Sequence, residues 1–246
     1  MLIIAKYYVD QVVKMCGRFN LTSPVEAIRQ LFGFQASPNL QARYNIAPTT
    51  QIAAVRLPSN KSASGTELFS AHWGLIPSWA KSAEYSAKMI NARSETVADK
   101  PAFRSAYKSR RCLIPSNGFY EWQKLGKTKK QPWLISLQDT PLFAFAGLWE
   151  SWTDPEGKTL ESCTILTTKA ADSIAFIHHR MPVIIDKAKF GQWYEGGSED
   201  DLLQPFDSAK LTFHKVSQSV GNVRNDDASL IAPCESITSN PQQELF

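Results

Sequence analysis

Short apolar segments that end at turn-forming residues recur along this 246-residue chain and favour a β-rich fold. The segments are rich in Phe, Trp, Ile and Val and are bounded by Gly, Pro, Asn or Asp, a pattern typical of strands. We predict strands at 51–57, 67–73, 111–115, 117–123, 132–138, 142–149, 162–168 and 211–217. The segment Gly126-Lys127-Thr128 is expected to join two of them as a hairpin loop.

Helices are fewer and shorter in the predicted pattern. A capping box, Ser23-Pro24-Val25-Glu26, and a stop at Gly33 predict a helix over 24–32. Further short helices are predicted near 101–108, 170–177, 187–194 and 199–204. Many short strands with few helices indicate an α+β fold: an antiparallel β-rich domain, built as a sandwich or a half-open barrel with short flanking helices.

The composition is that of one globular domain with a small positive net charge. Hydrophobic residues make up 43% and charged residues 20%, which excludes global disorder. The net charge of +4 fits a nucleic-acid partner without requiring one. Basic residues form two clusters, which are either solvated faces or part of a binding surface: Lys100, Arg104, Lys108, Arg110 and Arg111, then Lys124, Lys127, Lys129 and Lys130.

The four cysteines lie far apart and form no CxxC pair, so the sequence predicts no zinc site. The aminothiol chemistry considered below needs neither a metal nor a nucleotide cofactor. Cys112 and Cys163 fall in apolar strand-like runs and are expected in the core. The apolar patch in residues 1–14 is interrupted by charges and is too short for a signal or a membrane span, so a cytoplasmic location is expected. The tail 234–246 is polar and aperiodic, and we expect it to be flexible.

Cys16 follows Met15 and precedes Gly17, so a start at Met15 and removal of that methionine would expose it as the N-terminal residue. Its α-amine and thiol would then form a 1,2-aminothiol, which condenses with an aldehyde to an imine and closes a thiazolidine ring. The amine titrates near ~8 and the thiol near ~8.5, so both have reactive fractions at neutral pH. An internal Met-Cys-Gly without function is the competing interpretation.

Three other segments carry groups suited to chemistry. Asn91 and Arg93 follow Ile90 at a predicted strand end. Strand alternation puts Glu121 on the same face as Phe119, an apolar setting that raises a carboxyl pKa and suits it to acid–base work. His178 offers an imidazole next to Arg180. Taken one at a time, such groups are more often structural or surface residues than functional ones.

Seven motifs, in order along the chain, resemble those of one family. They are MCGRF (15–19), RYNIAP (43–48), WGLIPSW (73–79), INARSET (90–96), GFYEW (118–122), IHHRMP (177–182) and GNVRN (221–225). The chain is similar to the SRAP family, named for SOS response-associated peptidases, whose members shield abasic sites. The resemblance spans residues 15–233, and it implies a pseudo-barrel of antiparallel strands with a positively charged groove for single-stranded DNA.

The resemblance also implies roles for individual residues. Cys16 matches the crosslinking nucleophile, Asn91 the residue that positions it, Glu121 the acid–base glutamate and His178 the histidine of the H-x-R-M-P motif. A further group is expected to contact DNA, either directly or, for the last two, by packing beneath the groove: Arg18, Arg93, Arg180, Pro48 and Trp73. His179 is assigned no catalytic role.

The chain departs from the family pattern at its start, because fourteen residues precede Met15. Two explanations remain open: residues 1–14 are absent from the cell because translation begins at Met15, or cleavage between Met15 and Cys16 removes a leader. In the second case the Cys16 thiol would attack the preceding carbonyl, with Glu121 or His178 assisting. We therefore treat 1–14 as an extension, 15–233 as the domain and 234–246 as a tail.

The sequence as a whole predicts a protein that senses abasic sites in single-stranded DNA and shields them through a covalent bond to Cys16. It is expected to act as an autopeptidase, with a possible lyase activity, and as a monomer with no membrane partner. It would be nucleoid-associated if the source is bacterial. Two alternatives stay open: a cysteine peptidase or amidohydrolase that uses Cys16 with His178 on substrates in trans, and a noncovalent module for single-stranded nucleic acid.

Overall fold

The computed structural model describes residues 16–59, 65–196 and 201–234. Within these ranges the strands are β1 Phe19–Leu21, β2 Arg43–Ile46, β3 Gln51–Arg56, β4 Glu67–Trp73, β5 Asn91–Arg93, β6 Arg111–Ser116, β7 Gly118–Leu125, β8 Lys129–Leu137, β9 Phe143–Thr153, β10 Thr159–Lys169, β11 Arg180–Pro182, β12 Ile184–Ile185 and β13 Leu211–Lys215. The helices are α1 Val25–Phe32, α2 Arg104–Ser109 and α3 Phe190–Glu195. Short 3-10 helices cover Ala83–Lys88, Ser94–Thr96, Asp172–Ile174, Lys187–Lys189, Ser208–Lys210, Gln218–Gly221 and Ala228–Ile231.

Five strands close into a ring. β4 pairs with β3, β3 with β6, β6 with β9, β9 with β10, and β10 returns to β4 in the single parallel pairing of the ring. The short strands β5 and β11 pair with the C-terminal half of β10, and β12 pairs with the N-terminal part of β9. Ring closure leaves these long strands without a free edge, and side chains fill the interior of a barrel this small. Every residue of β6 is accordingly buried.

A second sheet packs against the barrel, with strand order β13-β8-β7-β1-β2. Phe19 of β1 meets Trp73 and Phe145 of the barrel with ring centroids 5.2 and 5.8 Å apart, and Phe119 of β7 lies 6.0 Å from the same Phe145. The opposite face of this sheet is covered by the C-terminal 3-10 helices, which pack over Tyr120. The sheet is thus held on both sides, and one of its faces is turned toward the barrel.

The expected fold class is confirmed: the protein is an antiparallel β-rich α+β pseudo-barrel with short flanking helices. The hairpin loop at 126–128 and the burial of Cys112 and Cys163 are also confirmed. Helix α1 ends at Gly33, which is left-handed (φ +81°) and donates its N–H to the Arg29 carbonyl at 2.8 Å. This geometry is the one that favours glycine after a helix.

Several local expectations were wrong. The predicted capping box does not form, because Pro24 is the N-cap, Glu26 bonds Arg29, and the Ser23 hydroxyl accepts from Asn117. The helix predicted at 170–177 is a single 3-10 turn. Of the helix predicted at 199–204, the described part, 201–204, forms no helix.

The first basic cluster is partly structural. Arg110 pairs with Glu150 at 2.8 Å, and Arg111 is buried over the rings of Tyr107 and Trp193. The extension 1–14 lies outside the described residues, and so does the tail beyond Cys234. In the described part of the chain, no helix is long and apolar enough to cross a membrane.

Candidate active site

Strand pairing brings Cys16 to the side chain of Glu121. β1 runs antiparallel to β7, with Phe19 opposite Phe119, so the residues before β1 pass beside the residues after Phe119. At this point the Cys16 N–H donates to Glu121 Oε1 at 2.9 Å. Both residues are buried. The nitrogen of Cys16 therefore faces a carboxyl group that is shielded from water.

Burial raises the pKa of Glu121 to about 8, although hydrogen bonds from the backbone N–H groups of Cys16 and Trp122 pull it down. Desolvation disfavours the charged carboxylate more than these two bonds favour it. At neutral pH the carboxyl is mostly protonated and can both donate and accept a proton. The direction agrees with the apolar setting predicted from strand alternation.

The Cys16 thiol has a raised pKa for a similar reason. Burial is the main cause, and the nearby Glu121 charge adds to it. The thiol is consequently neutral in the resting site. A thiolate, the form that attacks peptide carbonyls directly, is disfavoured.

Asn91 approaches Cys16 from the barrel side. Its Nδ2 donates to the Cys16 carbonyl at 3.2 Å. The preceding carbonyl, that of Ile90, accepts from Trp73 Nε1 at 2.9 Å and from the Ile165 N–H at 3.1 Å, which fixes the start of β5. Asn91 thus holds the backbone of Cys16 from a rigid strand.

His178 completes the cluster from the turn before β11. Its Nδ1 lies 3.8 Å from Glu121 Oε1. Nδ1 also lies 3.2 Å from both the N–H and the carbonyl oxygen of Arg180, and the tautomer of the ring decides which of the two it bonds. Burial lowers the pKa of His178, and electrostatic interactions with His179, Lys124 and Arg180 lower it further, while a backbone hydrogen bond with Arg180 opposes them. His178 is therefore neutral at neutral pH.

The four predicted catalytic residues, Cys16, Asn91, Glu121 and His178, lie together between the barrel and the second sheet. His179 is exposed and stacks near His178, with ring centroids 4.4 Å apart. Among the described residues, no group of three or more His, Cys, Asp or Glu side chains is arranged to hold a metal ion.

The three predicted DNA-contacting arginines differ in their surroundings. Arg93 is exposed at the end of β5. Arg18 is half-buried, and its Nη1 donates to Asn45 Oδ1 and to the Val220 carbonyl, both at 2.7 Å. Arg93 is accordingly the one of the three whose side chain the structure presents to solvent.

Arg180 has a different position from the one expected of a phosphate contact. It is buried, pairs with the Glu95 carboxylate and donates to the Thr167 carbonyl at 2.5 Å. Its guanidinium therefore joins β10 to the 3-10 turn after β5, and in this conformation it is engaged within the protein. Arg180 thus links these two elements next to His178.

Trp73 lies beneath the surface, whereas Pro48 is partly exposed. Trp73 is fully buried against Phe19, and Pro48 is half-buried beside Thr49, whose N–H donates to the Trp73 carbonyl at 2.9 Å. Direct contact of Trp73 with a ligand is excluded in this conformation. The exposed tryptophan of the same motif is Trp79, with 68% of its surface open, in the loop that leads toward Asn91.

Sequence reasoning missed Trp79 and Glu95. A tryptophan two residues after Pro77 in a turn-rich segment is a signal for exposure, so Trp79 could have been singled out. Glu95 gave no such signal, because its partner Arg180 is 85 positions away.

Comparison with known proteins identifies the family of the chain. The family model described as SOS response associated peptidase (SRAP) matches residues 15–223. The chain is 40% identical over 225 residues to the abasic site processing protein YoqW of Bacillus subtilis, covering 88% of this chain and 99% of that protein. It is 29% identical over 272 residues to the abasic site processing protein HMCES of Rattus norvegicus, covering 90% of this chain and 76% of that protein.

Solved structures share the fold. A crystal structure of a protein from Bacteroides thetaiotaomicron superposes with a TM-score of 0.78 at 26% identity, covering 89% of this chain and all of that one. One from Bordetella bronchiseptica reaches 0.70 at 29% identity, covering 82% of this chain and all of that one. By its family-model match and its similarity to YoqW, the chain belongs to the SOS response associated peptidase (SRAP) family.

Proposed function

We propose that this protein recognises abasic sites in single-stranded DNA and shields them through a covalent bond to Cys16. One observation carries the proposal: the Cys16 nitrogen lies 2.9 Å from the protonatable carboxyl of Glu121 in a buried site. The family membership supports it, since the relatives YoqW and HMCES are named abasic site processing proteins. The monomeric state and the cytoplasmic location stay predictions.

The reaction begins with the ring-opened sugar, which carries an aldehyde at C1′. The Cys16 α-amine adds to that carbon, and loss of one water gives an imine. The thiol then adds to the same carbon while its proton passes to nitrogen, closing a thiazolidine. The ring removes the C=N bond, so the β-elimination that would break the strand no longer follows. A slower lyase reaction from the open imine is the expected side path.

The order of attack follows from the acid–base state of the site. The thiol is held neutral by burial, whereas an α-amine titrates near ~8, close to the pKa of about 8 for Glu121. Matched pKa values allow proton transfer in either direction at little cost. The carboxylate form of Glu121 takes a proton from the ammonium, and the carboxylic acid so formed donates a proton to the departing hydroxyl. His178, neutral and 3.8 Å from Glu121, assists the opening of the sugar by proton transfer.

This chemistry requires a free α-amine at Cys16. We propose that it arises either by translation from Met15 and methionine removal, or by cleavage between Met15 and Cys16. In the cleavage route, the Cys16 thiol attacks the Met15 carbonyl carbon, the peptide C–N bond breaks and the nitrogen takes up the proton. Water then hydrolyses the thioester and restores the thiol.

The proposal is tested by replacing Cys16. Wild-type protein incubated with a single-stranded oligonucleotide carrying one abasic site is expected to form an adduct that survives heat and denaturant. Cys16→Ala is expected to lose that adduct but to keep noncovalent binding. An undiminished adduct in Cys16→Ala would overturn the assignment of Cys16.

A second variant separates amine from thiol chemistry. Cys16→Ser keeps the α-amine, so it is expected to form an imine that borohydride reduces to a stable amine, and to give no heat-stable adduct without borohydride. The two alternatives predict different results: a peptidase acting in trans would turn over peptides, and a noncovalent module would bind intact and abasic strands equally.

A further inference from the structure

A cluster of three aromatic rings lies beside the candidate active site, and we name it the aromatic ledge: Trp133, Phe176 and Phe213. Their ring centroids are 5.4 to 5.9 Å apart in edge-to-face pairs. Phe176 lies two residues before His178, and half of its surface is exposed. Phe176 packs edge-to-face on Trp133 and Phe213, so it offers a half-exposed aromatic ring on which a base can stack.

Strand register places the ledge next to Glu121. Glu121 of β7 is opposite Trp133 of β8, and Trp133 is opposite Lys215 of β13. Directly opposed residues share a face of the sheet, with Cβ atoms about 4.5–5.5 Å apart. The row Glu121–Trp133–Lys215 thus runs from the buried carboxyl to the edge of the sheet. Phe213 shares this face because it lies two positions from Lys215.

The surroundings of the ledge are cationic. Lys215 Nζ lies 5.6 Å from the centroid of the Trp133 ring. The cations whose fields reach His178, at the inner end of the ledge, include Lys124 and Arg180. The hairpin lysines Lys124, Lys127, Lys129 and Lys130 are exposed at the near ends of β7 and β8. An aromatic face surrounded by positive charge is complementary to a nucleotide, which presents a flat base and an anionic phosphate.

We propose that the aromatic ledge is a subsite for the base of a nucleotide adjacent to the abasic one, which stacks on Phe176. The inference rests on the proposed function, because it takes the abasic sugar to occupy the space next to Cys16 and Glu121. Stacking on an aromatic ring tolerates any base, so the subsite accepts any sequence. Because the abasic nucleotide has no base that the protein could bind, stacking of the neighbouring base positions the strand.

The test compares two variants and two oligonucleotides in a Cys16→Ala background, so that only noncovalent binding is measured. Phe176→Leu keeps apolar bulk and loses the ring face, and Phe176→Trp keeps a ring. One oligonucleotide has an abasic analogue between normal nucleotides, and the other has abasic analogues at the two flanking positions as well. The second strand keeps the phosphates and lacks the bases that would stack.

Phe176→Leu is expected to weaken binding of the first oligonucleotide roughly tenfold, the size of one base–aromatic stack, and to leave binding of the second unchanged. Phe176→Trp is expected to bind the first at least as well as the parent does. Equal losses on both oligonucleotides, no loss on either, or a Trp variant as weak as the Leu variant would overturn the subsite.

The outcome is independent of the crosslinking chemistry. If protein with Cys16 intact forms no adduct with an abasic strand, the proposed function fails. The binding comparison still shows whether a neighbouring base contacts Phe176. If the adduct forms and the flanking bases make no difference to the effect of Phe176→Leu, only the subsite is rejected.

Discussion

At the scale of single residues, the carboxyl of Glu121 connects the two reactive partners of the site. It accepts the Cys16 N–H at 2.9 Å and lies 3.8 Å from His178 Nδ1. Its pKa is raised and that of His178 is lowered, so both groups are uncharged near neutral pH. Opposite shifts of two neighbouring groups are a common mark of acid–base sites.

Glu121→Gln should slow adduct formation about 100-fold or more, because the amide cannot carry a proton. In wild-type protein the rate should rise with pH as the α-amine loses its proton. It should fall again above the pKa of about 8, as Glu121 loses the proton that it donates. Initial rates measured between about pH 5 and pH 9 test this. A variant with the wild-type rate and profile would exclude Glu121 from the chemistry.

The same carboxyl should affect stability. Its folded pKa of about 8 exceeds the value of an unfolded glutamate, about 4.3, so the folded state binds the extra proton between these pH values. The free energy of unfolding therefore falls as pH rises through this window, by ~1.4 kcal/mol per unit of pKa difference. In urea unfolding, the free energy of unfolding of Glu121→Gln should increase relative to that of the wild type as pH rises through this window. A constant difference between the two free energies would contradict the raised pKa.

The identities of the catalytic candidates could be found from the sequence, and so could the direction of the Glu121 shift, because strand alternation alone puts Glu121 on an apolar face. The burial of Trp73 and the pairing of Arg180 with Glu95 could not be found in this way. Both depend on partners that meet only in the folded protein: Trp73 packs on Phe19, and Arg180 reaches across β10.

At the scale of elements, the segment between β4 and β5 positions Asn91. It starts at Gly74, whose φ of +144° disfavours any side chain. A Cβ there would lie 2.5 Å from the Ser86 carbonyl oxygen. The nearest atoms that such a Cβ would meet belong to the backbone of Ser86, so relieving the clash requires a backbone displacement rather than a side-chain rotation.

Gly74→Ala should therefore destabilise the protein by more than about 2 kcal/mol and reduce adduct formation, because the segment leading to Asn91 must shift. Gly157→Ala is the matched control: Gly157 also has a positive φ, +85°, but nothing lies within 4 Å of its Cβ position, so only about 1 kcal/mol is expected. Thermal unfolding and adduct rates measure both. Equal effects of the two substitutions would exclude the close approach as the cause.

Long strands were predictable and short ones were not. The segments that form β3, β4 and β6–β10 carry enough alternating or continuous apolar residues to be recognised as strands from the sequence. In contrast, β1, β2, β11 and β12 have only two to four residues each, and pairing with a neighbour defines them. The capping box failed for a related reason, since Asn117 engages both the backbone and the side chain of Ser23.

At the scale of the whole molecule, the site lies between a closed barrel and an open sheet. Cys16 and Glu121 belong to the sheet side, and Asn91 and His178 to the barrel side. Exposed cations near the site include Arg93 at the end of β5 and the lysines of the β7–β8 hairpin. This distribution predicts that binding of a strand depends on salt.

Arg93→Gln should weaken binding to intact and abasic single strands alike and reduce the slope of log K against log salt by about 0.7, the value for one phosphate contact. Glu156→Gln, an exposed change in the β9–β10 turn, changes net charge by the same amount in the opposite direction. It should leave the slope unchanged. Titrations at several salt concentrations measure both slopes, and an unchanged slope for Arg93→Gln would remove Arg93 from the DNA-binding surface.

Covalent shielding through Cys16 is tested most directly by the intact mass of the protein before and after incubation with a single-stranded oligonucleotide that carries one abasic site. Covalent shielding through Cys16 predicts a protein mass that begins at Cys16. It also predicts a heat-stable product that equals this protein plus one oligonucleotide minus one water. A protein that begins at Cys16, binds the strand and gains no such mass would contradict covalent shielding through Cys16.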